Sequence, residues 1–110
     1  MKQREIWMAD LNPVRGAEQR GIRPVVVISG NAMNTHLKIA IVCPLSTRIK
    51  NYAGCLVLKR NPQNGLEADS EVITFQIRTV SGERFLRRVG EISEKELAII
   101  KERLMEVLTY

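Results

Sequence analysis

The period of the apolar residues changes near the end of the chain, and that change limits the folds available. Ser93 and Glu96 have the spacing of a capping box. Leu97, Ile100, Leu104 and then Val107 or Leu108 recur at helical spacing, with Lys101 and Arg103 on the wetter side. The spacing predicts an amphipathic helix over 93–108. Everything before it is cut into short apolar runs by turn-forming residues. Strands are expected over 6–11, 25–29, 39–43 and 54–58, with two more near 70–80 (bent or interrupted) and 84–89. Asn12-Pro13, Gly30-Asn31-Ala32-Met33-Asn34, Pro44 and the cluster Asn61-Pro62-Gln63-Asn64-Gly65 separate them. About five or six short strands followed by one helix fold as a small, strongly curved barrel capped by that helix, so the class is mainly β.

At 110 residues the chain is expected to be one domain, 1–110, large enough for a modest core. Its net charge of +5 favours an acidic partner such as nucleic acid, although basic charge is shared by many unrelated small proteins. Met1-Lys2-Gln3-Arg4-Glu5 leads into a polar–apolar mixture without the apolar core of a secretory signal, and no run approaches bilayer length. Cys43 and Cys55 sit in apolar strand-like runs and read as small buried hydrophobes in a reducing compartment. The expectation is a cytoplasmic protein with no membrane role. One histidine (His36) and two distant cysteines give no metal-ligand spacing, so no metal and no cofactor are expected.

Between the first two strands lies a loop, 12–23, carrying Arg15, Gly16, Glu18, Gln19, Arg20 and Gly21. Loops of this length in small domains are usually functional or mobile. Pro24 fixes its own φ and pushes Arg23 toward an extended conformation, and Val25 to Ile28 is a β-branched run suited to a buried strand. The guanidinium of Arg23 is thereby expected at the last loop position before a rigid strand, where it can be aimed at a phosphate.

The order of these pieces resembles the MazF/PemK toxins, the ribonuclease halves of bacterial toxin–antitoxin pairs. The matching stretches are Ile6-Trp7-Met8-Ala9-Asp10-Leu11-Asn12-Pro13, Gly16-Ala17-Glu18-Gln19-Arg20-Gly21-Ile22-Arg23-Pro24-Val25-Val26-Val27, Cys43-Pro44-Leu45-Ser46-Thr47 and Phe75-Gln76-Ile77-Arg78-Thr79-Val80. They occur in family order, with the C-terminal helix in its family place. The resemblance implies an SH3-like small barrel of the CcdB/MazF type. It also implies a homodimeric, sequence-selective, metal-independent endoribonuclease acting on single-stranded RNA. Its partners would be a cognate acidic antitoxin and, only through the toxin–antitoxin complex, DNA. In that family the arginine before the proline and a Ser or Thr after the third strand form the catalytic pair. Here these are Arg23 and Ser46, with Thr47 next door as the alternative hydroxyl. Gln76 matches a glutamine implicated in substrate positioning, and Gln19, Arg20, Arg78, Arg84 and Arg87 complete the candidate RNA contacts.

The chemistry can be set out from the residues. Cleaving RNA through its own 2′-OH requires removal of that proton, a proton for the leaving 5′-oxygen, and stabilisation of charge at the phosphorane; no metal is needed if side chains supply the donors. Arginine's planar fork suits phosphate oxygens, and a neighbouring hydroxyl adds a further hydrogen bond. A mechanism with two histidines is excluded, because His36 is the only one. Arg23 is too basic to act as the base, so the base stays unassigned, with Glu18 as a candidate. Each residue also has a structural reading. Arg23 could be a solvated loop arginine, Ser46 and Thr47 could cap a strand end, Gln76 could be an exposed strand residue, and Arg84, Arg87 and Arg88 could form a solvated edge. Trp7 is expected in the core or a dimer interface. Two other functions compete with the ribonuclease. One is a gyrase poison of the CcdB kind, whose activity depends on a tryptophan in its C-terminal tail, whereas this tail is Leu108-Thr109-Tyr110. The other is a non-catalytic nucleic-acid-binding barrel.

Overall fold

A computed structural model describes residues 1–12 and 21–110 of the chain. The order of elements is β1 (Glu5–Asp10), β2 (Ile22–Val27), α1 (Asn31–Leu37), β3 (Ile39–Ser46), β4 (Leu56–Leu58), β5 (Ser70–Val72), β6 (Arg78–Ser81), β7 (Phe85–Glu91) and α2 (Glu94–Thr109). The strands form one antiparallel sheet in the order β4-β5-β3-β2-β1-β7, and β6 also pairs with β3. β3 is shared along its length: Ile39 to Val42 pair with β6, and Leu45 and Ser46 pair with β5. A strand that changes partner midway must bend, which gives the sheet the curvature of a small barrel.

The two faces of the sheet carry separate cores, as period-two alternation requires. One contains Ile6, Val26, Ile28, Cys43, Leu45 and Val72 beneath Leu97 and Ile100 of α2. The other contains Ala9, Leu11, Val25, Val27, Ala40, Val42 and Val80, with Trp7 and Phe85 packed edge to face at 6.0 Å. Trp7 is therefore partly buried, as its position in the first strand suggested. Cys43 and Cys55 are buried and unbridged, and burial, with Cys55 nearby, pushes the Cys43 thiol up to about 12. That thiol stays protonated at neutral pH and acts as packing.

α2 begins where the sequence places it. Glu96 N–H donates to Ser93 Oγ at 3.1 Å, and Ser93 N–H donates to Glu96 Oε1 at 2.8 Å, so both halves of the capping box are made. Leu97 and Ile100 are buried, each worth about 1.5–3 kcal/mol of apolar burial. Leu108 is 77% exposed, so Val107, half-buried, continues the apolar stripe.

Three expectations are corrected. Pro44 does not end the third strand, which continues to Ser46. Pro44 falls where β3 has left β6 at Val42 and has not yet joined β5 at Leu45, so the missing N–H interrupts no ladder on that edge. Arg23 and Pro24 lie inside β2, not in the loop before it. Pairing with β3 begins only at Val25, so Pro24 is laddered to β1 alone. The segment Gly30 to Asn34, read as a break, opens the helix α1, in whose last turn His36 is exposed. The interruption expected within 70–80 is present as a 3-10 turn, Thr74–Gln76, between β5 and β6.

Candidate active site

Arg23 lies opposite Ala9 of β1. On its other side the register of β2 with β3 runs Val27↔Val42, Val26↔Cys43 and Val25↔Pro44. The pairing ends there, with Arg23 two residues before Val25 and Ser46 two residues after Pro44. Ser46 in turn pairs with Glu71 of β5, and Glu71 with Val57 of β4. Residues directly opposite share a face of the sheet with Cβ atoms about 5 Å apart. Ser46 and Glu71 are therefore neighbours across β3 and β5, and alternation puts Arg23 on the same face as Val25 and Val27 and Ser46 on the same face as Val42. The sequence-derived pair Arg23 and Ser46, separated by 22 intervening residues along the chain, lies on the same face of the adjacent strands β2 and β3, each two residues beyond their last pair.

Ser46 ends β3 and is 8% exposed; its Oγ accepts from Arg48 N–H at 3.1 Å. This is the turn-capping role expected of a strand-end serine, and it uses the oxygen as acceptor while leaving the hydroxyl proton for donation. Thr47 is exposed and faces elsewhere. It lines a cleft of about 330 Å³ together with Met8, Pro24, Leu66, Arg87 and Val89. Met8 and Arg87 are strand partners, so this cleft lies on the sheet face opposite Arg23, and neither Arg23 nor Ser46 lines it. The two candidate hydroxyls thus serve different surfaces.

The loop's ends are tied. Leu11 N–H donates to Gly21 O at 3.0 Å, and Gly21 N–H donates to Asn12 Oδ1 at 3.1 Å. Gly21 has φ +78, which a side chain would resist. Two candidate RNA-contact arginines brace this mouth: Arg78 Nη1 donates to Leu11 O at 3.4 Å, and Arg84 Nη1 to Asp10 O at 3.2 Å. Arg78 faces Val42 across β6 and β3, on the same side of the sheet as Arg23. Gln76 sits in the 3-10 turn between exposed Phe75 and exposed Ile77. Arg88, read as part of a solvated edge, is an ion-pair residue: its Nε lies 2.7 Å from Glu5 Oε2. Burial would raise the Glu5 carboxyl, but hydrogen bonds from Lys2 N–H, the Trp7 indole and Arg88, with the terminal ammonium, hold it below its ordinary value. Glu18, Gln19 and Arg20 lie outside the described residues.

Glu71 has no counterpart in the sequence reading. It is 1% exposed, its Oε1 accepts from Lys50 N–H at 2.8 Å, and its Oε2 accepts from Tyr52 N–H at 2.9 Å. The three apolar or hydroxyl residues after it read as strand, and nothing in sequence marks its carboxylate as enclosed. Among the described residues no cluster of His, Cys, Asp and Glu could hold a metal ion, and no helix is long and apolar enough to cross a membrane.

Residues 2–108 match the family described as PemK-like, MazF-like toxin of type II toxin-antitoxin system. The chain is 38% identical over 109 residues to Endoribonuclease MazF9 of Mycobacterium tuberculosis, covering 94% of this chain and 92% of that protein. It is 34% identical over 98 residues to Endoribonuclease MazF of Staphylococcus saprophyticus, covering 88% and 82%. The fold matches crystalline MazF from Deinococcus radiodurans with a TM-score of 0.87 at 23% identity, covering 100% of this chain and 97% of that one. A mycobacterial endoribonuclease solved in complex with its cognate antitoxin matches with a TM-score of 0.79 at 19% identity, covering 98% and 94%.

Proposed function

The chain belongs to the PemK-like, MazF-like toxins of type II toxin–antitoxin systems, and on that premise we propose that it is an endoribonuclease that cleaves single-stranded RNA through the 2′-OH without a metal. The observation that supports the reading is that Arg23 and Ser46 lie on one face of the paired strands β2 and β3, each two residues beyond the pair Val25↔Pro44. In the reaction the 2′-oxygen bonds to phosphorus, the bond from phosphorus to the 5′-oxygen breaks, and the products are a 2′,3′-cyclic phosphate and a 5′-hydroxyl. Arg23 donates to the equatorial phosphate oxygens, where negative charge grows, and is the proton donor to the departing oxygen. Ser46 adds a hydrogen bond from a hydroxyl whose direction is set by Arg48 N–H. The 2′-OH loses its proton to a base, for which Glu18 is the candidate.

The toxin works in the cytoplasm as a homodimer and is neutralised by an acidic, partly hydrophobic antitoxin segment lying over Arg20 and Arg23. The charge of +5 favours such a partner and steers its encounter. Relatives of the same fold have been solved as MazE–MazF complexes, which supports this partnership. The decisive experiment incubates purified protein with a long single-stranded RNA in EDTA and identifies the new ends. Discrete fragments ending in 2′,3′-cyclic phosphate are expected, and one 2′-deoxy substitution at the scissile nucleotide should abolish that cut. Loss of activity on chelation, or cutting of the substituted RNA, overturns the mechanism.

A further inference from the structure

Glu71 is the strand partner of Ser46, yet its charge is turned away from chemistry. A buried carboxylate one strand from a phosphate clamp would repel the substrate if left uncompensated. Here both oxygens are occupied by main-chain donors two residues apart, Lys50 N–H and Tyr52 N–H. Asn51, between them, has φ 53, in the left-handed region. Successive amides around such a residue form an anion-binding concavity, and Glu71 fills it from within the protein.

The enclosed segment is the one that leaves Ser46. Arg48 N–H holds Ser46 Oγ, Ile49 N–H donates to Thr47 O at 3.1 Å, and Lys50 and Tyr52 are then clamped to Glu71. Past them, Cys55 N–H donates to Tyr52 O at 3.1 Å, and Thr74 Oγ1 donates to Gly54 O at 2.6 Å. The long-range ties of the segment to the barrel are thus the Glu71 carboxylate, at Lys50 and Tyr52, and the Thr74 hydroxyl, at Gly54. We propose that Glu71 is a positioning residue for RNA cleavage: by binding the Lys50 and Tyr52 amides it fixes the segment whose Arg48 N–H orients the Ser46 hydroxyl. The proposal rests on the reading of Ser46 as the hydroxyl that contacts the phosphate.

The test is a double-mutant cycle on single-turnover RNA cleavage, with rates corrected for folded protein. Glu71→Gln keeps the shape but cannot accept both amides equally. It should lower kcat about tenfold in the natural background and less than about twofold in the Ser46→Ala background, with KM unchanged or lower because a negative charge has been removed. Should Glu71→Gln fail to fold, Lys50→Pro deletes one clamping N–H from an exposed position, and Lys50→Ala is its control, because both lose the ammonium and only proline loses the amide. Lys50→Pro should be several-fold slower than Lys50→Ala. If Ser46→Ala is slow but Glu71→Gln is harmless, or equally costly in both backgrounds, Glu71 does not act through Ser46 and the positioning role is overturned. If Ser46→Ala cleaves at full rate, the assignment of Ser46 is wrong and the proposal falls with it.

Discussion

Replacing Ser46 and Thr47 separately by alanine distinguishes the two hydroxyls, because the structure gives them different work. Ser46→Ala removes the acceptor of Arg48 N–H. Arg48 is exposed, so water can replace the lost partner, and the cost to stability is about 0.5–1.5 kcal/mol. At about 4–8 °C per kcal/mol for a domain of this size, Tm falls measurably. Against an ordinary stability of about 5–15 kcal/mol, such a loss leaves nearly all molecules folded at 25 °C. A fall in rate therefore cannot come from unfolding. Removing one preorganised donor from a developing anion slows a reaction on the order of a hundredfold, and that is the expected effect on single-turnover cleavage. Thr47→Ala alters an exposed side chain in the other cleft. It should stay within about 0.5 kcal/mol in stability and cost less than about threefold in rate. The assay is cleavage of a defined single-stranded RNA in EDTA, with Tm measured on the same samples. A larger rate loss for Thr47→Ala than for Ser46→Ala would refute the assignment and move the reacting phosphate to the opposite face of the sheet.

Arg23→Ala should slow cleavage by on the order of a hundredfold or more, and Arg23→Lys should recover only part of it, because a point charge cannot reproduce the fork; full rescue by lysine in rate measurements would show that charge alone matters. Arg87→Ala, on the exposed face of β7, should weaken RNA binding and reduce its salt slope by about one while leaving the bound-state rate unchanged, as titrations at several salt concentrations would register. Gly90→Ala should be strongly destabilising. The added Cβ would lie 2.4 Å from Asn64 C and O and 2.6 Å from Gln63 O, main-chain atoms that cannot yield without breaking the 3.0 Å bond from Glu91 N–H to Gln63 O. Overpacking of this kind costs about 1–3 kcal/mol, and an unchanged thermal midpoint would contradict the packing described.

What the sequence settled on its own is what neighbouring residues determine. The capping box of Ser93 and Glu96, the buried stripe of α2 and the β-branched run at Val25 all depend on contacts three or four residues apart, or on alternation within one strand. The family pieces around Arg23, Ser46 and Gln76 were legible for the same reason. Tertiary structure decided the rest. α1 is short, and its N-cap Gly30 supplies no side-chain cap. It is held instead by Asn34, which bonds Ser29, and by Ser29 Oγ, which accepts from Ile41 N–H on the next strand. Pro44 reads locally as a stop, and only the change of partner from β6 to β5 shows why a strand can pass through it. Register likewise decided that Thr47 and Arg87 serve one face and Arg23 and Ser46 the other, since a shift of one residue would exchange them. Glu71 was invisible for the most basic reason: a carboxylate can be buried only where amides converge on it, and here those amides come from residues 19 and 21 positions away along the chain.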